Sequence, residues 1–298
     1  MNDWNKDGFL GLLGCAGLLG IIILVFVVGN QVIEQINTTN KPLKVTPQTA
    51  TPVLTPMPTK VSEKDGMTLI YIPGGEFING SDNGTKAERP VHRVFLSAFW
   101  IDQTEVTVGM YARCVADGAC SEPDSIASRT RPDYYKNPDY ADYPVVYVDW
   151  YQAGGYCTWA GRRLPTEAEW EKAARGTDGR TYPWGEGIDC NLANYQAKEG
   201  YCVGDTTRVG SYPQGASPYG VLDMAGNVWE WVADWYDDKY YRNSPIMQPE
   251  GPKTGVSRVL RGGSLGDIDR LVRTTNRFGN VPGLAFVRVG FRCAMDEP

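Results

Sequence analysis

Residues 8–29 (GFLGLLGCAGLLGIIILVFVVG) form a run without a charge or a strongly polar side chain, and no other feature constrains the chain as much. At 1.5 Å rise per residue a helix of that length spans about 33 Å, enough to cross a hydrocarbon core of roughly 30 Å. The run is therefore expected to be a single transmembrane helix behind a short tail, residues 1–7. Two rivals exist. A cleaved signal peptide needs a positive leader and a shorter apolar stretch, but MNDWNKDG carries two acids and one lysine, and no small-x-small site follows. Lipidation of Cys15 after Leu12-Leu13-Gly14 would not require the apolar residues that continue beyond it. Lys6 set against Lys41 and Lys44 leaves orientation undecided.

Five prolines and seven threonines punctuate residues 37–63. Proline at that density favours extended polyproline II geometry, so residues 30–64 read as a semi-rigid spacer, in which residues 37–63 reach at most about 80 Å. Residues 65–298 are left for a folded domain. Net charge is −6, from 29 basic and 35 acidic residues, with no basic block, which excludes a nucleic-acid partner on electrostatic grounds. A single histidine, His92, leaves no His₂ or His₃ metal site, and a hydrogen-bonding role at a strand start is expected for it.

The 34 Gly and 20 Pro describe short elements joined by many turns. Strands are expected at residues 67–72, 91–96, 99–102, 228–235, 258–261 and 288–293. Helices are expected at 107–116, after Asp149 to Gly161, and from the capping box Thr166-Glu167-Ala168-Glu169 to Gly176. The fold class is α+β, in one domain.

Leaving Cys15 aside, six cysteines remain, an even number that suggests disulfides and an oxidising space. Cys114 and Cys120 bracket a turn, Cys190 and Cys202 bracket a polar loop, and by elimination Cys157 pairs with Cys293. The domain is accordingly expected outside the cytoplasm.

Several segments carry a resemblance: ERPVHRVFLSAFWIDQTEVTVGMY, RRLPTEAEWEKAARG, YGVLDMAGNVWEWVADWY, RVLRGGS and VGFRCA. Together, in this order over about residues 67–294, they resemble the formylglycine-generating enzyme family, also called sulfatase-modifying factor domains. The resemblance implies a C-type-lectin-like fold and places the family's inter-segment disulfide on Cys157 and Cys293. It also implies structural Ca²⁺, with Asp223, the Gly226 and Val228 carbonyls and Glu230 as one ligand set, and Asn194 with the Tyr195 carbonyl as part of a second. Oxygen-only ligation suits Ca²⁺, and Glu230, pointing away from Trp229 and Trp231 on a strand, needs a cationic partner. In RRLPTEAEWE, Arg162, Arg163, Glu167, Glu169 and Glu171 read as structural ion pairs.

Family oxidases hold copper through two cysteines just after the GGS turn, where soft thiolates suit Cu(I). Here Asp267 and Val272 occupy those places, so no catalytic residue is assigned and no copper is expected. What remains is a varied stretch mixing Ser264, Asp267, Arg273, Asn276, Arg277, Phe278, Asn280, Phe286 and Arg288, the residue types of a recognition surface. Arg273 and Arg277 also read as partners of core carboxylates. The reading that follows is a membrane-tethered module binding a protein, peptide or glycan. The competing readings are a family enzyme with altered chemistry and a maturation factor for a neighbouring protein.

Overall fold

A computed structural model describes residues 56–297. The expected transmembrane run and the spacer up to residue 55 lie outside the described residues. Within them, no helix is long and apolar enough to cross a membrane.

The folded unit begins earlier than the proline pattern suggests. Strand β1 (Thr59–Val61) pairs antiparallel with β2 (Thr68–Ile72). Residues 59–61 thus belong to the domain and not to the spacer: the prolines stop at Pro58, and the backbone beyond is free to join a ladder. After β2, at the end of the expected strand 67–72, Pro73-Gly74 leads straight into β3 (Gly75–Asn79), which forms a hairpin with β4 (His92–Leu96). β5 (Phe99–Asp102) returns to pair with β2.

Three helices follow where the caps place them. In α1 (Val108–Ala116) the Thr107 side chain accepts from the Met110 amide. In α2 (Trp150–Trp159) Asp149 and Gln152 form a capping box, as Thr166 and Glu169 do for α3 (Glu167–Arg175). The loop between Cys190 and Cys202 carries a small hairpin, β6 (Gln196–Ala197) with β7 (Gly200–Tyr201).

The C-terminal part supplies β8 (Trp229–Trp235), β9 (Arg258–Arg261), β10 (Arg277–Asn280), β11 (Val289–Phe291) and β12 (Ala294–Asp296). Two four-stranded sheets result, ordered β1-β2-β5-β12 and β10-β9-β8-β11. β11 runs parallel to β8, and the other pairs are antiparallel. The run from Arg288 to Cys293, read as one strand, therefore ends at Phe291, and the chain crosses to the other sheet through Arg292 and Cys293.

Cys157–Cys293, Cys114–Cys120 and Cys190–Cys202 are all bonded. The first crosses a core of Tyr111, Tyr156, Trp231, Leu260 and Phe291. A second core packs Trp170, Ala173 and Val232 against Ile70, Ile72 and Phe99. α3 passes through it with every residue buried, although its sequence, EAEWEKAAR, is mostly charged. Burial of that many charges requires a partner for each, and the fold provides them. Glu171 takes Arg261 and Arg175, Glu167 takes Arg277, and the Lys172 ammonium donates to the carbonyls of Pro73 and Gly75.

Candidate functional site

The turn Gly262-Gly263-Ser264 sets the geometry of the C-terminal face. Gly263 has φ 72° in the left-handed region, and a Cβ there would meet Val272 Cγ1 at 2.6 Å. Val272 is sealed beneath the turn, packed with Tyr182, Tyr195 and Ala225. Asp267 closes the turn from its other side. Its Oδ2 accepts from the Ser264 amide at 3.0 Å, from Ser264 Oγ and from Trp229 Nε1 at 2.9 Å. The two positions assigned to copper thiolates by resemblance thus hold a turn-capping carboxylate and a core methyl pair. The six described cysteines are all disulfide-bonded.

Beside this turn lies a groove of about 830 Å³. One wall is β10, presenting Phe278 and Asn280; Trp229 of β8 stands next to Phe278, ring centroids 5.9 Å apart. The segment Ala285–Val289 also lines it, together with Tyr147, Tyr236 and Thr85-Lys86-Ala87. Tyr147 has φ 57°, an uncommon value for a bulky side chain. Its amide donates to the Phe286 carbonyl and its carbonyl accepts from the Asp124 amide, which hold it there.

Of the nine residues expected to form a recognition surface, eight border this groove: Ser264, Asp267, Asn276, Arg277, Phe278, Asn280, Phe286 and Arg288. Arg273 does not. Its guanidinium makes two 2.9 Å bonds to the buried Glu88 carboxylate, ties the segment after the glycine turn to residues 85–88, and is a structural group. Arg277 borders the groove with little of its surface, because it is spent on Glu167 beneath. The Asn276 amide is likewise committed to the Leu271 carbonyl at 2.8 Å. Phe278, half exposed, and Arg288 are the anchors left facing outward. Tyr147, Trp229 and Tyr236 were missing from the expected set. Trp229 reads as core from its strand, although alternation with the buried Glu230 puts it on the other face. Tyr147 lies far away in sequence, and no pattern links it to this stretch.

The expected metal residues form a separate, buried constellation. The Glu230 carboxylate, for which sequence reasoning wanted a metal cation, meets the guanidinium of Arg292, at 2.7 Å to Nε and 2.8 Å to Nη2; Trp170 Nε1 donates to it as well. Two further buried acids, Glu105 and Asp223, share that guanidinium's field. Burial holds the Asp223 carboxyl up at about 6, opposed by the Gly210 amide and Arg292; burial and the neighbouring carboxylates push Glu105 well above its usual range. Glu105 Oε1 and Asn194 Oδ1 are buried without a partner. Asn227 sits between them: its Nδ2 donates to Glu105 Oε2 at 3.2 Å, and its amide donates to the Asn194 carbonyl. Gly226, φ 81°, lies so close that a Cβ would meet the Asn194 carbonyl oxygen at 2.3 Å. The Tyr195 carbonyl accepts from the Cys202 amide, and Asp205 nearby is satisfied by Ser128 and Thr130. Among the described residues no three His, Cys, Asp or Glu side chains cluster at ligating distance.

The other charged motif residues are structural. Arg162 reaches Asp65 and Asp102, Arg163 reaches Glu169 and Asp296, and His92 Nδ1 donates to the Pro90 carbonyl at 2.9 Å.

Residues 55–297 match the sulfatase-modifying factor enzyme 1-like domain family. Serine/threonine-protein kinase pkn1 of Chlamydia caviae is 41% identical over 239 residues, which cover 76% of this chain and 37% of that protein. The chain therefore spans little more than a third of that relative's length. The formylglycine-generating enzyme of Streptomyces coelicolor is 36% identical over 283 residues, covering 76% of this chain and 88% of that enzyme. Among solved structures, PvdO from Pseudomonas aeruginosa aligns with a TM-score of 0.68 at 29% identity, over 82% of this chain and 99% of that one.

Proposed function

Since the chain belongs to the sulfatase-modifying factor family, we propose that it keeps that family's scaffold for recognition and has given up copper-dependent oxidation of cysteine. One observation carries this reading. The positions matching the family's thiolate pair are closed, Asp267 by three hydrogen bonds and Val272 by burial, while the groove alongside keeps Phe278 52% exposed. An apolar ring held open next to polar groups is the arrangement of a binding surface. The ligand is a protein or peptide segment lying in the groove.

The same reading includes the rest of the chain. Residues 8–29 anchor it in a membrane, residues 30 to about 58 hold the domain clear of the bilayer, and the three disulfides suit an extracytoplasmic location. The fold is read as C-type-lectin-like. Ca²⁺ is a structural ion at Asp223, the Gly226 and Val228 carbonyls and Glu230, with the orphaned Glu105 Oε1 supporting a missing cation there. Three buried carboxylates around one guanidinium leave an excess of negative charge, which bound Ca²⁺ would neutralise.

A family enzyme with altered chemistry is the second reading, favoured by the 36% identity to the Streptomyces coelicolor enzyme. One experiment separates the two. The purified full chain, supplied with Cu(I) and oxygen, is incubated with a cysteine-containing sulfatase peptide and analysed for aldehyde by mass spectrometry. No conversion is expected, and turnover would overturn the proposal.

A further inference from the structure

Three cationic side chains border the groove, Lys86, Arg277 and Arg288, with Arg273 set back behind them, and they differ in what holds them. Arg273 is locked to Glu88 and Arg277 to Glu167. Lys86 is exposed on the rim. Arg288 is half-buried in the wall and, among the described residues, its guanidinium makes neither an ion pair nor a hydrogen bond. Its position is specific nonetheless. The guanidinium lies against Gly266, where a Cβ would come 1.6 Å from Nη1 and 2.7 Å from Cζ. Gly266 is not in the left-handed region, so backbone conformation does not demand glycine there. The room it leaves is filled by Arg288. The nearby Asp267 turns its Oδ2 to Ser264 and Trp229 and forms no ion pair with Arg288, and Asp238 lies on the rim.

A guanidinium with five open donors, partly shielded from water beside Trp229, Phe278 and Phe286, matches a carboxylate bidentately. A second feature narrows the form of the ligand. β10 is the edge of its sheet, paired with β9 on one side only, so its outer backbone groups meet no further strand. An extended chain can add to such an edge while its side chains enter the adjoining pockets.

Resting on the recognition reading above, the geometry points to an acidic peptide as the occupant. An extended segment pairs with the free edge of β10, sets an Asp or Glu carboxylate on Arg288, and lays a neighbouring apolar side chain against Trp229 and Phe278. Arg288 is then the specificity-determining residue, and Gly266 is its positioning residue.

The test is an array of synthetic octapeptides in equal acidic, neutral and basic sets, probed with the full chain and with Arg288→Gln, Arg288→Glu, Gly266→Ala and Phe278→Ala, each confirmed as folded by its thermal midpoint. The wild type should retain acidic peptides. Arg288→Gln and Gly266→Ala should weaken the best of them at least tenfold, Arg288→Glu should favour basic ones, and Phe278→Ala should weaken all without altering the charge preference. An acidic preference unchanged by Arg288→Gln and Arg288→Glu overturns this inference but leaves the recognition reading standing. Failure of the wild type to retain any peptide overturns both, whereas inhibition by glutarate at the peptides' own affinity replaces the peptide with a small carboxylate.

Discussion

The helix α3 and the groove are made of similar residue types and treat them in opposite ways. Around α3 each arginine is matched to a carboxylate: Arg261 and Arg175 to Glu171, Arg277 to Glu167, Arg163 to Glu169. Eleven residues after Arg277 the chain places Arg288 in the groove wall, where among the described residues no carboxylate forms an ion pair with it. A guanidinium's neighbours in sequence do not say which kind it is; a carboxylate arriving from elsewhere in the fold does. A half-broken buried pair is expensive because it strands a charge in low dielectric. An unpaired, half-exposed one costs little and is free to meet a ligand. Substitutions near α3 should therefore unfold the protein, and substitutions in the groove should change only what it binds.

The sharpest break of that contrast is Glu171→Ala. It removes the nearer carboxylate of the fully buried Arg261, leaving Glu167 at 3.6 Å, and weakens the hold on Arg175. The expected loss is about 3–5 kcal/mol, read from urea unfolding. A loss below about 1 kcal/mol would show that the ion pairs are incidental to the packing around Trp170. Next is Cys157→Ser combined with Cys293→Ser, which opens a loop of 136 residues across the main core. About 2–5 kcal/mol should go in the same measurement. Calcium gives a third, smaller effect. At a hundredfold excess over its dissociation constant the ion should add about 2.7 kcal/mol, seen as a thermal midpoint several degrees higher than in chelator. That difference should shrink in Glu105→Gln, and its absence in the wild type would remove the ion from the fold.

Much of the α3 side was legible in the sequence, and the groove was legible only in outline. The cap at Asp149 and the four-residue capping box at Thr166 are local signals, and they gave two helices at their observed starts. Cysteine spacing gave the three bonds because two of them close short turns. β3 was missed because Pro73-Gly74 reads as a stop where the chain only turns a corner. β10 was missed because Arg-Phe-Gly-Asn has no alternating apolar pattern; its pairing comes from β9 and its shape from Tyr236 packed on Gly279. Eight of the nine residues named from the stretch 264–288 border one groove, yet the roles of Arg273 and Arg277 depend on Glu88 and Glu167, over a hundred residues upstream. Arg292 as the partner of Glu230 was missed for a related reason: a sequence shows that a carboxylate is buried before it shows which cation follows it in.

The buried acids sharpen the comparison through pH. Asp234, beneath α3, accepts from the Glu167 amide, and burial together with the Glu167 carboxylate pushes its pKa from 3.8 to about 8. Burial also lifts Asp102 to about 7 against the pull of Arg162. The folded chain then keeps protons that the unfolded chain releases near pH 4, so stability falls as pH rises from about 4 to about 8. At the acid end, Arg273 and Thr275 hold Glu88 below its ordinary value, and that contribution is lost as pH falls through the folded pKa. Thermal midpoints should peak at mildly acidic pH. Asp234→Asn, which keeps an oxygen for the Glu167 amide, should flatten the decline on the alkaline side by a few degrees. An unchanged slope would mean that Asp234 is ionised in the fold.

Phe278→Ala should have the smallest effect on stability and is the most discriminating test of the contrast. Phe278 is 52% exposed and its nearest ring is Trp229, 5.9 Å away and itself in the groove wall. Truncation removes one aromatic contact from the folded state and opens no cavity in either core, so the loss should stay below about 1 kcal/mol. Arg277 beside it is buried and carries the ion pair, so the strand should hold its register without the ring. Binding should respond quite differently, because the ring is the one large apolar group of β10 turned toward the groove. If the thermal midpoint instead falls by as much as it does in Glu171→Ala, Phe278 belongs to the packing of the domain. The division between a charge-paired interior and a face left open for a ligand would then not hold along β10.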